Sequence, residues 1–111
     1  MEELAVGDIV LVKFPFSDLK NQKQRPALIV ASADFNDLIV CQITSKKFGA
    51  SRTVTIAKQD LAAGLLPVVS YVRPDKLFTL DRKLVLAKIA TLDRNSTRKV
   101  LVTLRLIFSE S

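Results

Sequence analysis

Histidine is absent from the sequence. That absence removes Ser-His-Asp and Cys-His catalysis, paired-histidine nuclease chemistry and histidine metal sites. Acid–base chemistry is left to carboxylate, lysine, tyrosine, hydroxyl or arginine. There is one cysteine, Cys41. It excludes an internal disulfide and a cysteine-based zinc site. Set in "LIVCQIT", it reads as a small buried hydrophobe. With three glycines and four prolines, and no low-complexity segment, nothing marks disorder or a linker. No apolar run reaches the ~20 residues needed to span a bilayer. The opening "MEEL" is acidic where a signal peptide is basic. The expectation is a cytoplasmic protein without membrane association, forming a single domain over residues 1–111.

What is present is apolar and basic. Hydrophobic residues make up 49% of 111, enough for a core at this length. Seventeen Lys and Arg against eleven Asp and Glu give a net charge of +6. Such a balance suits an anionic partner, nucleic acid or an acidic polypeptide; plain solubility is the alternative. The basic clusters at Lys20–Arg25, Lys46–Arg52 and Arg94–Lys99 all lie outside the apolar runs.

Strands are expected at residues 8–14, with Ile9, Leu11 and Phe14 set against Asp8, Val10 and Lys13, and at "PALIVAS", buried on both faces with Pro26 as its first residue. "LIVCQITS" and "RTVTIA" follow, rich in β-branched residues. "SDLKNQKQ" and "ADFND" read as loop and turn. "KQDLAAGLL" reads as a short helical turn and connector. "PVVSYV" and "KLFTLD" are strands separated by Arg73-Pro74-Asp75, an irregular edge or bulge. "LVLAKIATL" suggests a short strand near Ile89. "NSTRKVLVTLRLIF" is a helix capped by Asn95 or Ser96. Its apolar stripe is Val100, Leu101, Leu104, Ile107 and Phe108, with Val102 and Leu106 off it. The second strip suggests a subunit contact, with a deeply packed helix as the alternative. Several of the six phenylalanines and the one tyrosine fall at expected core positions. The fold class is mainly β (α+β): a small barrel of six or seven strands with a C-terminal helix.

Two Arg-Pro pairs, Arg25-Pro26 and Arg73-Pro74, stand beside β-forming runs. A guanidinium there must stay solvated or find an anion. It matches phosphate oxygens in a bidentate fork, or it pairs with a surface carboxylate. Thr44, Ser45 and Lys46 end a strand, where two hydroxyls and a cation can bind a phosphate or simply make a turn. Arg73 and Asp75, one proline apart, can project to one side. They form either a structural ion pair or an acid–base pair for phosphodiester cleavage. In the second reading Asp75 takes a proton from a ribose 2′-OH, and Arg73 either stabilises charge on the phosphorus centre or protonates the leaving oxygen.

"GDIVLVKFPF", "RPALIV", "IVCQITS", "YVRPDKLFTLD" and the terminal helix, in this order from Gly7 to Phe108, resemble the PemK/MazF toxin family, in its PemK-like branch. The resemblance implies an SH3-like β-barrel that forms a homodimer and cuts single-stranded RNA at specific sequences. It implies no metal or other cofactor, and attack by the 2′-OH to leave a cyclic phosphate and a 5′-hydroxyl. It also implies a cognate acidic antitoxin, and DNA binding together with it. Arg25 and Thr44 fall on active-site positions, Arg73 and Asp75 on the PemK-type acid and base, and Ser45 on a substrate-binding position. Lys46 and the loop residues Lys23, Ser17 and Asp18 are further candidates for substrate contact. That loop departs from the family in lacking Gly and Glu. Related toxins of this fold bind a topoisomerase instead, which is the alternative expectation.

Overall fold

The computed structural model describes residues 3–13, 24–47 and 52–109. Among them, strands β1 (Asp8–Lys13), β2 (Gln24–Ser32), β3 (Asp37–Thr44), β4 (Val54–Ile56), β5 (Leu61–Gly64), β6 (Ser70–Asp81) and β7 (Val85–Leu92) precede one helix, α1 (Arg94–Phe108). All seven strands join one antiparallel sheet in the order β4-β6-β3-β2-β1-β7-β5. The mainly β class and the terminal helix are as the sequence led us to expect.

The central strands are apolar on both faces. In β1, Ile9, Val10 and Val12 are all fully buried, rather than alternating with solvent. In β2 the same holds for Ala27, Leu28 and Ile29. Successive residues along a strand point to opposite faces, so two apolar clusters form. One holds Ile9, Leu28, Cys41, Ile43 and Val72, joined by Ile56 of β4 and by Ala90 and Leu92 of β7. β4 is at one edge of the sheet and β7 lies near the other, so the sheet must curl round this cluster. α1 closes it with Val100, helped by Leu101 and Leu104. Burying Val100 alone is worth about 1.5–3 kcal/mol. The other face carries Val10, Val12, Ala27, Ile29, Leu38, Val40 and Leu80. The burial of Cys41 is confirmed, and it pushes the thiol up to about 12, with the nearby Asp75 charge adding to it. The thiol therefore stays neutral.

Several expectations are corrected. Residues 61–64 form a strand, not part of a helical connector, because β5 pairs with β7 (Leu61↔Leu92, Gly64↔Ala90). Only Lys58–Asp60 makes a helical turn there, of the tight 3-10 kind. β7 runs for eight residues instead of a short stretch near Ile89. Its partner β1 is tied to it by Asp8, which is buried, accepts from Thr91 Oγ1 at 3.1 Å and pairs with Lys88 Nζ at 3.5 Å. α1 begins at once after β7, so its cap is Asp93, whose carboxylate accepts from Ser96 N at 2.7 Å. Asn95 and Ser96 lie inside the first turn. Phe108 is exposed along with Val102 and Leu106, so the buried stripe ends before it. Of the described phenylalanines, Phe78 packs on a core cluster, while Phe35 tips the β2–β3 turn in solvent. Phe14 lies outside the described residues.

Candidate active site

β2 begins at Gln24, two residues before Pro26. Arg25 is therefore on the strand, not at its entrance. It pairs across to Val12 of β1, whose side chain belongs to the second apolar cluster. Directly opposed residues share a face, so Arg25 lies on that face too. Pairing of β2 with β3 starts only at Ala27↔Gln42. Continuing that register by two residues brings Arg25 opposite Thr44. Gln42 in turn faces Arg73 of β6, and Thr44 faces Tyr71. Arg25, Gln42, Thr44, Tyr71 and Arg73 thus occupy one face and one end of three adjacent strands. β2 and β6 lie two strand spacings apart, about 9.5 Å.

The second Arg-Pro does something the first does not. Cys41 pairs with Leu77 but the next residue, Gln42, pairs with Arg73. Pro74, Asp75 and Lys76 are therefore looped out of an otherwise continuous β6. The sequence expectation of a bulge holds; the expectation of two separate strands does not. The bulge brings Asp75 back beside Arg73. Arg73 Nη2 donates to Asp75 Oδ2 at 2.9 Å and Nε donates to Oδ1 at 3.3 Å, a two-pronged fork. The arginine side chain is 19% exposed and the carboxylate 47%. The Arg73 hydrogen bonds hold the Asp75 carboxyl below the usual carboxylate range.

Arg25 is half-buried and has no ion-pair partner among the described residues. The surface-pair alternative therefore finds no carboxylate there. Thr44 Oγ1 accepts from Lys46 N at 3.1 Å, which leaves the hydroxyl hydrogen free to be donated elsewhere. Ser45 and Lys46 follow in an exposed bend. Their turn chemistry is real, and it stands at the rim of the shared face.

Residues 5–108 match the family described as PemK-like, MazF-like toxins of type II toxin–antitoxin systems. The chain belongs to that family.

The PemK-like fold recurs in solved structures. A chain of a MazE–MazF crystal structure from Deinococcus radiodurans superposes with a TM-score of 0.75 at 23% identity, covering 96% of each chain. A mycobacterial endoribonuclease in complex with its cognate antitoxin gives 0.74 at 17% identity, covering 98% of this chain and 100% of that one. The Mycobacterium tuberculosis toxin MazF-mt6 gives 0.70 at 20%, covering 91% and 95%. At such identities the likeness is one of fold. No curated protein matches the sequence.

Register thus gathers Arg25, Thr44, Arg73 and Asp75 of this PemK-like toxin, with Ser45 and Lys46 beside them. Lys23, Ser17 and Asp18 lie outside the described residues. Two members of the face escaped the sequence reading, Gln42 and Tyr71. Gln42 sits in an apolar strand and Tyr71 in a β-forming run, where both look structural. Only the cross-strand partners, Arg73 and Thr44, mark them.

Proposed function

We propose that the protein is a sequence-specific, metal-independent endoribonuclease that cuts single-stranded RNA as the toxin of its pair. The observation that carries this reading is the register placing Arg25, Thr44 and Arg73 on one face, with Asp75 forked to Arg73. Two guanidiniums about two strands apart fit the non-bridging oxygens of one phosphate. The 2′-oxygen attacks the adjacent phosphorus, its proton passes to Asp75, and the P–O5′ bond breaks. The products are a cyclic phosphate and a 5′-oxygen that takes a proton from water. Arginine serves as charge stabiliser and not as proton donor, because its pKa exceeds ~12.

The Arg73–Asp75 fork gives this scheme a definite order. While forked, Asp75 is ionised but a weak base. A phosphate that draws Arg73 away removes the hydrogen bonds that lower the carboxyl, so its basicity rises only when RNA is bound. Support for an antitoxin partner and a homodimer comes from the family and from α1, where Leu106 and Phe108 are exposed. We assign an acidic antitoxin, DNA binding in its company and cytoplasmic action to the same reading. No helix among the described residues is long and apolar enough to cross a membrane.

The test is incubation with a long single-stranded RNA in EDTA, across pH, with the ends mapped. Discrete cuts with cyclic-phosphate ends are expected. Since kcat/KM follows the free protein, it should stay level from pH ~8 to ~5 and fall only below the ordinary carboxylate value of 3.8. The kcat limb, set in the RNA complex, should fall at higher pH. An acid limb in kcat/KM near pH ~6.5 would place the proton acceptor elsewhere. RNA left intact by folded, antitoxin-free protein would transfer the reading to a binding toxin with a protein target, such as a topoisomerase. Sedimentation as a monomer at micromolar concentration would remove the dimer.

A further inference from the structure

Tyr71 is the one tyrosine in the chain. β6 places it between Thr44 of β3 and Thr55 of β4. Arg25, Thr44, Tyr71 and Thr55 therefore form a row across four neighbouring strands, about 14 Å long at the usual strand spacing. The row runs across the strands, and its ring is half-buried with hydroxyl side chains on both flanks. A partly exposed aromatic on a sheet face is a stacking surface for a nucleobase. The plainer role, a ring that only packs, would not need a place in line with the proposed cleavage residues.

The sheet ends at β4, and the polar track does not. Between β4 and α1 lies an open cleft of about 820 Å³, lined among others by Thr53, Thr55, Asn95, Arg98 and Lys99. Thr55, on the edge strand β4, stands in the row and also lines the cleft, so a path from one to the other turns round the sheet edge to the side where α1 packs. α1 carries Arg94, Arg98, Lys99 and Arg105 and no acidic residue. None of the four makes an ion pair within 4.0 Å among the described residues, although Lys99 lies close enough to Asp93 to help lower its carboxyl. Of these, Arg98 and Lys99 line the cleft, and two neighbouring cations along a cleft favour a polyanion.

We infer that the RNA strand leaves the cleavage site across β6 and β4, stacks one base on Tyr71, and carries its phosphates past Arg98 and Lys99 in the β4–α1 cleft. This path rests on the ribonuclease reading above. RNA uses both parts of the track, the ring for a base and the cations for phosphates. An acidic polypeptide would use the cations alone.

The probe is a single-stranded RNA of the cut sequence with one 2′-deoxy sugar at the cleavage position, so that it binds without being cut. Binding is followed by fluorescence anisotropy against KCl concentration. For the double variant Arg98→Gln, Lys99→Gln, the slope of log K against log salt should become shallower by about 1.4, from ~0.7 for each phosphate no longer neutralised. Tyr71→Leu should weaken binding roughly tenfold and flatten the base preference at one position beside the cut. Tyr71→Phe, which keeps the ring, should retain both. Urea midpoints of all the variants check folding. An unchanged salt slope in the double variant, or an unchanged affinity and base profile in Tyr71→Leu, overturns the path. Wild-type protein that neither binds nor cuts RNA would instead defeat the ribonuclease reading itself.

Discussion

Arg25→Ala should slow single-turnover RNA cleavage by roughly 10²–10³-fold, the usual effect of removing one preorganised donor to developing charge. Stability should move little. Arg25 makes no ion pair among the described residues, so its loss strands no buried carboxylate. Its neighbours Ala27, Leu28 and Ile29 stay in place through β2's pairing to both sides. Arg25→Lys should recover only part of the rate, since a point charge cannot present the planar fork. Arg73→Ala should cost a similar amount, and by removing the fork that lowers Asp75 it should move the acid limb of kcat/KM to higher pH. The two losses together should fall short of their product if both arginines serve one phosphate. The measurement is single-turnover rate at saturating protein, alongside urea unfolding. A rate for Arg25→Ala within about twofold of wild type would remove Arg25 from the site. Strictly multiplicative effects would mean that the two arginines act on different groups.

The second large effect is structural. Gly64→Ala should lower unfolding stability by about 2–4 kcal/mol. Gly64 has φ +77°, and a Cβ there would lie 2.2 Å from the Ile89 carbonyl oxygen and 2.5 Å from Ala90 Cα. Both obstacles are backbone atoms of β7, so no side chain can rotate away. Either β5 lifts from β7 or β7 shifts, and β7 supplies Ala90 and Leu92 to the core that α1 closes. Gly7 also has a positive φ, but a Cβ there meets the Thr97 hydroxyl at 3.1 Å, the end of a side chain that can turn. Gly7→Ala should therefore cost less. Urea midpoints for the two variants decide this, and a Gly64→Ala midpoint equal to wild type would show that β5 is dispensable.

The pattern of what could be read in advance is physical. "PALIVAS" and "LIVCQITS" announce strands because their apolar runs are short and continuous. The bulge in β6 is legible because proline restricts both itself and the residue before it. β5 was not legible, since "LAAG" has helix-compatible composition and becomes a strand only by pairing with β7. The helix cap was ambiguous because Asp93, Asn95 and Ser96 can all cap, and the choice falls to where β7 ends. The candidate site divides in the same way. Arginine beside proline, threonine at a strand end and aspartate after proline carry their own signals. Gln42 and Tyr71 carry none, because their meaning lies in register, which no local stretch encodes.

The position of β1 bears on when this protein can act. β1 is flanked by β2 on one side and β7 on the other, and the Thr91–Asp8 hydrogen bond spans 83 residues of chain. β1 thus waits for β7, and the main core waits for Val100 of α1. Long-range closures of this kind form late. A chain still on the ribosome can hold β2, β3 and β6, the strands of the proposed site, without the frame that fixes them. The proposed site therefore gains its fixed frame only once β7 and α1 have been made and have closed on the strands before them.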